Sequence, residues 1–274
     1  MTKEKKRDKA SPNLLRSRQW CAMAEDTRRG TYHDERDGWS AMWIPASEVA
    51  LLGGLLCLDR IALQVMISRP VVAGPLVGFV LGDPMTGLVT GAMIELLWID
   101  RFHMGRYLPP NDTVVSVLVT AGTILSARGI PGGPPQELAA AAVLLFAPVA
   151  FIARWGDMLV ASSNTSLSEA ALEDARRGDA RAIVRKHYVG MAKTFALSSL
   201  LIFLCLTVGT VILREFFPVL PERVLSALTI VYCGIPVIGM SVALSTIKVR
   251  GALPVFSGLF LVVLIVLRLW QGGG

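Results

Sequence analysis

Metal-like cysteine spacing is missing from this chain. Its four cysteines, Cys21, Cys57, Cys205 and Cys233, fall at intervals that fit neither a zinc site nor a disulfide framework. Three of them lie in apolar runs, where cysteine behaves as a small hydrophobe. Neither a metal nor a cofactor is expected. Nor is a cleavable signal peptide expected, because Met1 to Ala41 is polar and mixed in charge. The formal net charge is +6, yet no basic stripe interleaved with aromatics occurs, so nucleic acid is excluded as a partner and basic cytoplasmic loops are expected instead.

What the chain has is apolar sequence. Its 274 residues are 53% hydrophobic, above the ~45–50% usual for soluble domains. Mean hydropathy is +0.55. Several long apolar stretches predict an all-α polytopic membrane protein with one membrane domain. Residues 1–41 read as a polar, disordered extension too poor in apolar residues to fold alone, and residues 42–274 as the membrane-embedded domain. Met42 opens a plausible membrane-protein start, so the extension is a candidate for a misassigned start.

The densest information lies between Arg69 and Ile99. Two apolar runs, Val71–Leu81 and Met85–Ile99, flank a Gly82-Asp83-Pro84 turn. Each is shorter than the ~20 residues that a spanning helix needs, which predicts a re-entrant hairpin. Irregular backbone survives at membrane depth only against protein or a wet cavity. Asp83 and Glu95 sit inside this apolar sequence, and an ionisable group in such a place is a functional-site hypothesis.

The flanking segments follow in order. Ile44–Ile67 is predicted as the first membrane segment, with Asp59–Arg60 as an interfacial pair and Gln64 as either a backbone-bonding amide or a sugar contact. His103, Arg106 and Tyr107 form a polar cluster. Asn111 or Asp112 is a natural N-cap for a helix that starts at Thr113; alternatively one of the two caps and the other faces a ligand. Gln136–Ser162 reads as one long helix, on which Arg154 and Asp157 can pair. About 164–188 is predicted as a cytoplasmic loop helix, placed inside by its arginines and lysines. Gly190–Phe217, Val224–Ile247 (interrupted near Gly234–Pro236) and Ala252–Trp270 complete the spans.

The run Leu58–Leu96, with its Arg-Pro at 69–70, its Leu-Gly-Asp turn, the following Thr-Gly and then Gly-x-x-x-Glu, resembles the IIC permease component of the mannose-family sugar phosphotransferase system (the mannose, sorbose and N-acetylgalactosamine type). The likeness continues through PPNDTVVSVLVT and covers roughly Trp43 to the C-terminus. It implies an elevator-type transport subunit in a bacterial inner membrane, paired with a IID membrane subunit in a trimeric assembly. It further implies that a hexose or amino sugar crosses and is phosphorylated by a soluble IIB protein, itself charged by IIA. On this resemblance the chain is expected to carry no phosphohistidine or catalytic residue of its own.

Carried over residue by residue, Glu95 matches the family's membrane glutamate, and Gln64 and Asn111 fall at polar positions near the sugar path. Asp83 and Asp112 are further candidates, with helix capping as the competing reading for each. Two other functions compete with transport. A scaffold or regulatory subunit that no longer transports would be indifferent to Glu95→Gln. An intramembrane aspartyl protease would need two aspartates, such as Asp59 and Asp83, brought together to share a proton.

Overall fold

A computed structural model describes residues 35–100, 108–128, 130, 134–246, 258 and 262. The polar cluster His103, Arg106 and Tyr107, most of the last predicted span and residues 1–34 lie outside the described residues. Within them the structure is helical, with no strand.

The first helix, α1 (Glu35–Leu58), begins inside the polar N-terminal segment and carries Pro45. It does not run on to Ile67 as a plain helix. A π-helical turn over Asp59–Leu63 closes when Gln64 N donates to Asp59 O at 2.7 Å, and Gln64 takes a left-handed φ of 55°. The chain then leaves the helix as a strap over 64–69. The cause is local: the Asp59 carboxylate accepts from the backbone of Val65 at 2.8 Å and of Ser68 at 2.9 Å, so those amides are taken away from any further helical turn.

The predicted hairpin is present as α2 (Pro70–Leu81) and α3 (Pro84–Leu97). Each starts with proline at its first position, where the missing N–H costs nothing. Gly82 ends α2 at φ 87°, a left-handed cap that glycine adopts without strain. Asp83 caps α3 by accepting from Thr86 N at 3.0 Å. The two helices touch backbone to backbone: a Cβ on Gly74 would run into the carbonyl of Gly87, and one on Gly87 into that of Gly74. Larger residues there would wedge the hairpin open.

At the centre stands α4 (Asp112–Ser126), in which every residue from Thr113 to Leu125 is buried. A helix apolar on nearly all sides belongs inside a bundle, and α1, α2 and α3 pack around it together with α5 (Gln136–Phe146), α6 (Val149–Arg176) and α7 (Ala180–Phe216). Three of its five hydroxyls, on Thr113, Ser116 and Thr120, serve neighbours. Thr120 shares a 2.8 Å hydrogen bond with Thr90 of α3, and Ser116 donates to Pro70 O at 3.2 Å.

The expected single helix Gln136–Ser162 is instead two. Pro148 lacks an N–H and sits at the junction of α5 and α6. Nor is the polar stretch near 164–188 a separate loop helix. There α6 runs on to Arg176, the chain turns at Gly178 (φ 70°), Asp179 caps Ala182 N at 3.0 Å, and α7 begins at Ala180. The polar segment is thus the projecting ends of two long helices. At 37 residues, α7 is about 55 Å long, well beyond a hydrocarbon core of ~30 Å. A 3₁₀ turn at Phe217–Val219 leads into α8 (Glu222–Thr246), which packs on α3 and α5 and passes through Pro236 without ending.

Three helical tracks are long and apolar enough to cross a membrane: Gln136–Arg176, Ala180–Val219 and Glu222–Leu244. Large side chains such as Phe79, Phe216 and Ile230 stand exposed, as suits a surface that meets lipid or protein rather than water.

Candidate substrate site

Charged side chains inside the bundle converge where α1 ends. Arg60 is nearly buried; its Nη1 donates to Asp112 Oδ1 at 2.6 Å, and its Nη2 donates to the carbonyls of Pro109 at 2.9 Å and Pro110 at 3.1 Å. One guanidinium therefore ties the end of α1 to the segment that enters α4. A planar fork of donors is suited to this combination of carboxylate and carbonyls.

Asn111 sits beside that node, 1% exposed. Its Oδ1 accepts from Val114 N at 3.1 Å as the N-cap of α4, and its Nδ2 donates to Asp157 Oδ2 of α6 at 3.0 Å. Its own N–H donates to Ala150 O at 3.1 Å. The expected capping role is present, and both ends of the amide are engaged by protein. Asp157 is met by Asn111, 46 residues away. Asp112 binds Arg60, so the expected pairing of Arg60 with Asp59 is replaced by two separate sets of partners.

Glu95 lies near the far end of α3, where the hairpin returns to the strap. Its Oε1 accepts from Arg69 Nη1 at 2.9 Å, and its Oε2 from Val71 N at 3.4 Å. The Arg69 and Glu95 side chains are 31% and 19% exposed, so the pair is only partly covered and its more open member is Arg69. Gln64 is exposed on the same strap. Asp83 stands apart, at the other end of α3 from Glu95, about 18 Å along the helix, with its second oxygen accepting from Thr86 Oγ1 at 2.5 Å. Asp59 precedes α2 and Asp83 follows it, so α2 separates the two aspartates that a protease would have to join.

The structure thus places Gln64 at the start of the strap and Glu95 against its end at Arg69, sets Asn111 and Asp112 in the node around Arg60, and leaves Asp83 at the hairpin turn. A cavity of about 350 Å³ opens between the π-helical turn and the α6–α7 projection, lined by Leu58, Ala62, Asn164, Lys186, His187 and Thr194 among others, and by none of the five candidate residues. Sequence reasoning named Asp59, Arg60, Arg69 and Asp157 without finding their partners. Their signal was present as charges within or beside apolar runs, but the partners of Arg69, Asp157 and Arg60, which lie 26, 46 and 52 residues away, cannot be read from helical spacing, and the local Asp59 contacts are to backbone amides that spacing does not single out.

Residues 43–270 match the family described as the PTS system sorbose-specific IIC component. The chain is 23% identical over 189 residues to the sorbose-specific EIIC component of Lacticaseibacillus casei, covering 69% of this chain and 65% of that protein, slightly under two thirds of its length. It is 25% identical over 191 residues to the mannose-specific EIIC component of Escherichia coli K12, covering 69% and 68%. A solved structure titled as the mannose transporter ManYZ with microcin E492 shares the fold at a TM-score of 0.53, with 22% identity, over 80% of this chain and 85% of that one. Another, titled as a membrane protein, aligns at a TM-score of 0.62, with 22% identity, over 83% and 92%. With the family match spanning most of its length, the chain belongs to the sorbose-specific IIC component family of the phosphotransferase system.

Proposed function

We propose that the chain is the sugar-translocating IIC subunit of a phosphoenolpyruvate-dependent phosphotransferase system, carrying a hexose or amino sugar across a bacterial inner membrane. The observation that carries this reading is the part-exposed Glu95–Arg69 pair at the end of the exposed strap that begins at Gln64, in a chain of this family. A carboxylate accepts from sugar hydroxyls, and an amide both accepts and donates. Glu95 and Gln64 are the substrate contacts in this reading. Asn111 and Asp112 hold the frame behind them: the buried Asn111 amide spans Val114 and Asp157, and Asp112 is tied to the nearly buried Arg60. Asp83 keeps the hairpin turn closed. The proposed partners are a IID membrane subunit in a trimeric assembly and the soluble IIA and IIB phosphocarriers, with phosphoryl transfer to the sugar done by IIB. The membrane unit comprises residues 42–274, and the projecting ends of α6 and α7 face the cytoplasm.

The test is uptake of labelled mannose, sorbose and N-acetylgalactosamine in a host stripped of its own mannose-family permease, with IID, IIA and IIB supplied. Internal product should be phosphorylated sugar. Glu95→Gln should lower uptake about ten-fold or more, in keeping with the ~1–3 kcal/mol that a lost hydrogen bond costs in a dry site. No uptake by a correctly assembled complex, or uptake indifferent to Glu95→Gln, would favour a scaffold subunit.

A further inference from the structure

The strap between α1 and α2 combines exposure with strain. Val65 and Met66 are 61% and 67% exposed, and both Gln64 (φ 55°) and Met66 (φ 65°) lie in the left-handed region. Residues other than glycine rarely adopt that conformation and persist there only where the surroundings enforce it. The enforcing group is Asp59, itself 2% exposed. Its carbonyl accepts from Gln64 N, and its two carboxylate oxygens accept from Val65 N and Ser68 N, bracketing Met66. From the far side, Thr113 Oγ1 donates to Ser68 O at 2.7 Å. The strap leaves this clamp at Arg69, whose guanidinium meets Glu95.

We propose that Asp59 is the positioning residue of the sugar site: its buried carboxylate holds the strap in the strained form that presents Gln64. This rests on the reading of Gln64 and Glu95 as substrate contacts. The chemistry asks for a carboxylate. Two amide N–H groups need two acceptor oxygens, and an ionised aspartate offers acceptors only. Asparagine keeps one acceptor and turns a donor NH₂ toward the second amide. The strap then relaxes toward ordinary negative φ, and the fraction of molecules with Gln64 in place falls. A binding-competent fraction f raises the apparent dissociation constant by 1/f while leaving the occupied site intact. Asp59 therefore acts on half-saturation rather than on maximal rate.

The experiment is a double-mutant cycle of Asp59→Asn and Gln64→Ala in the full complex, with uptake of labelled mannose and sorbose measured as KM and maximal rate at matched membrane levels. Asp59→Asn should raise KM roughly ten-fold and change the maximal rate less than about two-fold; in the Gln64→Ala background it should raise KM by less than about two-fold. Should Asp59→Asn fail to accumulate, Asp59→Glu keeps both acceptors, displaces the strap by one methylene and carries the same cycle. Equal KM effects in both backgrounds would overturn the inference while leaving the site reading intact. Gln64→Ala and Glu95→Gln both without effect would overturn the site reading and the inference together. Loss of maximal rate at unchanged KM, or failure of both Asp59 variants to accumulate, would make Asp59 a folding residue only.

Discussion

Two regions of this molecule use the same charge chemistry in opposite surroundings. In the node behind the strap, Arg60 and Asp112 are separated by 52 residues and joined inside the bundle, with side chains 4% and 19% exposed. On the α6–α7 projection, Glu173 meets Arg177 at 3.1 Å and Arg176 at 3.6 Å within one stretch of helix, and all three are well exposed. Lys186 lies between these extremes: it pairs with Asp174 across the projection while half-buried, and it also donates to Ala170 O at 2.9 Å. The difference teaches that the pair itself carries little. What water could supply if the partner were lost decides the energy. An exposed pair gains roughly 0–1 kcal/mol over its hydrated parts. Breaking a buried one strands a charge and costs about 3–5 kcal/mol.

The largest expected effect follows from that contrast. Arg60→Leu should destabilise the protein by about 3–5 kcal/mol, read as a shift in denaturant midpoint in detergent micelles, because it leaves the Asp112 carboxylate and the Pro109 and Pro110 carbonyls without their donor. Adding Asp112→Leu should recover part of the loss, since two apolar groups leave no stranded charge behind. A single Arg60→Leu variant within about 1 kcal/mol of the parent would break the comparison at its buried end.

The hairpin turn offers an intermediate case. Asp83 is half-buried, and its side chain bonds within its own helix, through Thr86 N and Thr86 Oγ1. Asp83→Ala should cost about 1 kcal/mol, within the ~0.5–2 kcal/mol range for a lost N-cap. Uptake per assembled complex should stay near the parent's, because Glu95 stands at the other end of α3. A loss of uptake out of proportion to stability would give Asp83 a place in the sugar path that its capping geometry does not.

The same contrast explains how much was legible beforehand. The hairpin was readable because its signals are local: Gly82 for the left-handed cap, Asp83 for the N-cap and Pro84 for the first turn are three consecutive residues. The cap at Asn111 was local too. The break at Pro148 was equally local and was overridden by the uniform hydrophobicity on either side, whereas the helix through Pro236 continues where the same residue type invited a stop. Polarity over 164–188 reported exposure correctly but says nothing about whether a helix ends where its water-facing part begins. Least legible were the partners of Arg60 and Asp157. Adjacency suggested an Asp59–Arg60 pair and spacing suggested Arg154–Asp157, but partner choice in a bundle is set by which elements meet. That information lies outside any one segment.

The smallest effect tests the exposed end. Glu173→Ala removes the carboxylate shared by Arg176 and Arg177, yet both guanidiniums remain free to take water. The expected loss is at most ~0.5 kcal/mol at low salt, as for other exposed helix pairs. Near 1 M salt, where the screening length falls to about 3 Å, parent and variant should be indistinguishable in the same micelle assay. A salt series gives this variant its value, since a buried pair is screened far less and Arg60→Leu should keep its full cost across the series. If Glu173→Ala instead cost more than about 1 kcal/mol and ignored salt, the projection would be shielded from water in the assembled protein. Its charges would then belong with those of the strap, and the line between the two regions would be drawn by a covering partner rather than by the fold of this chain.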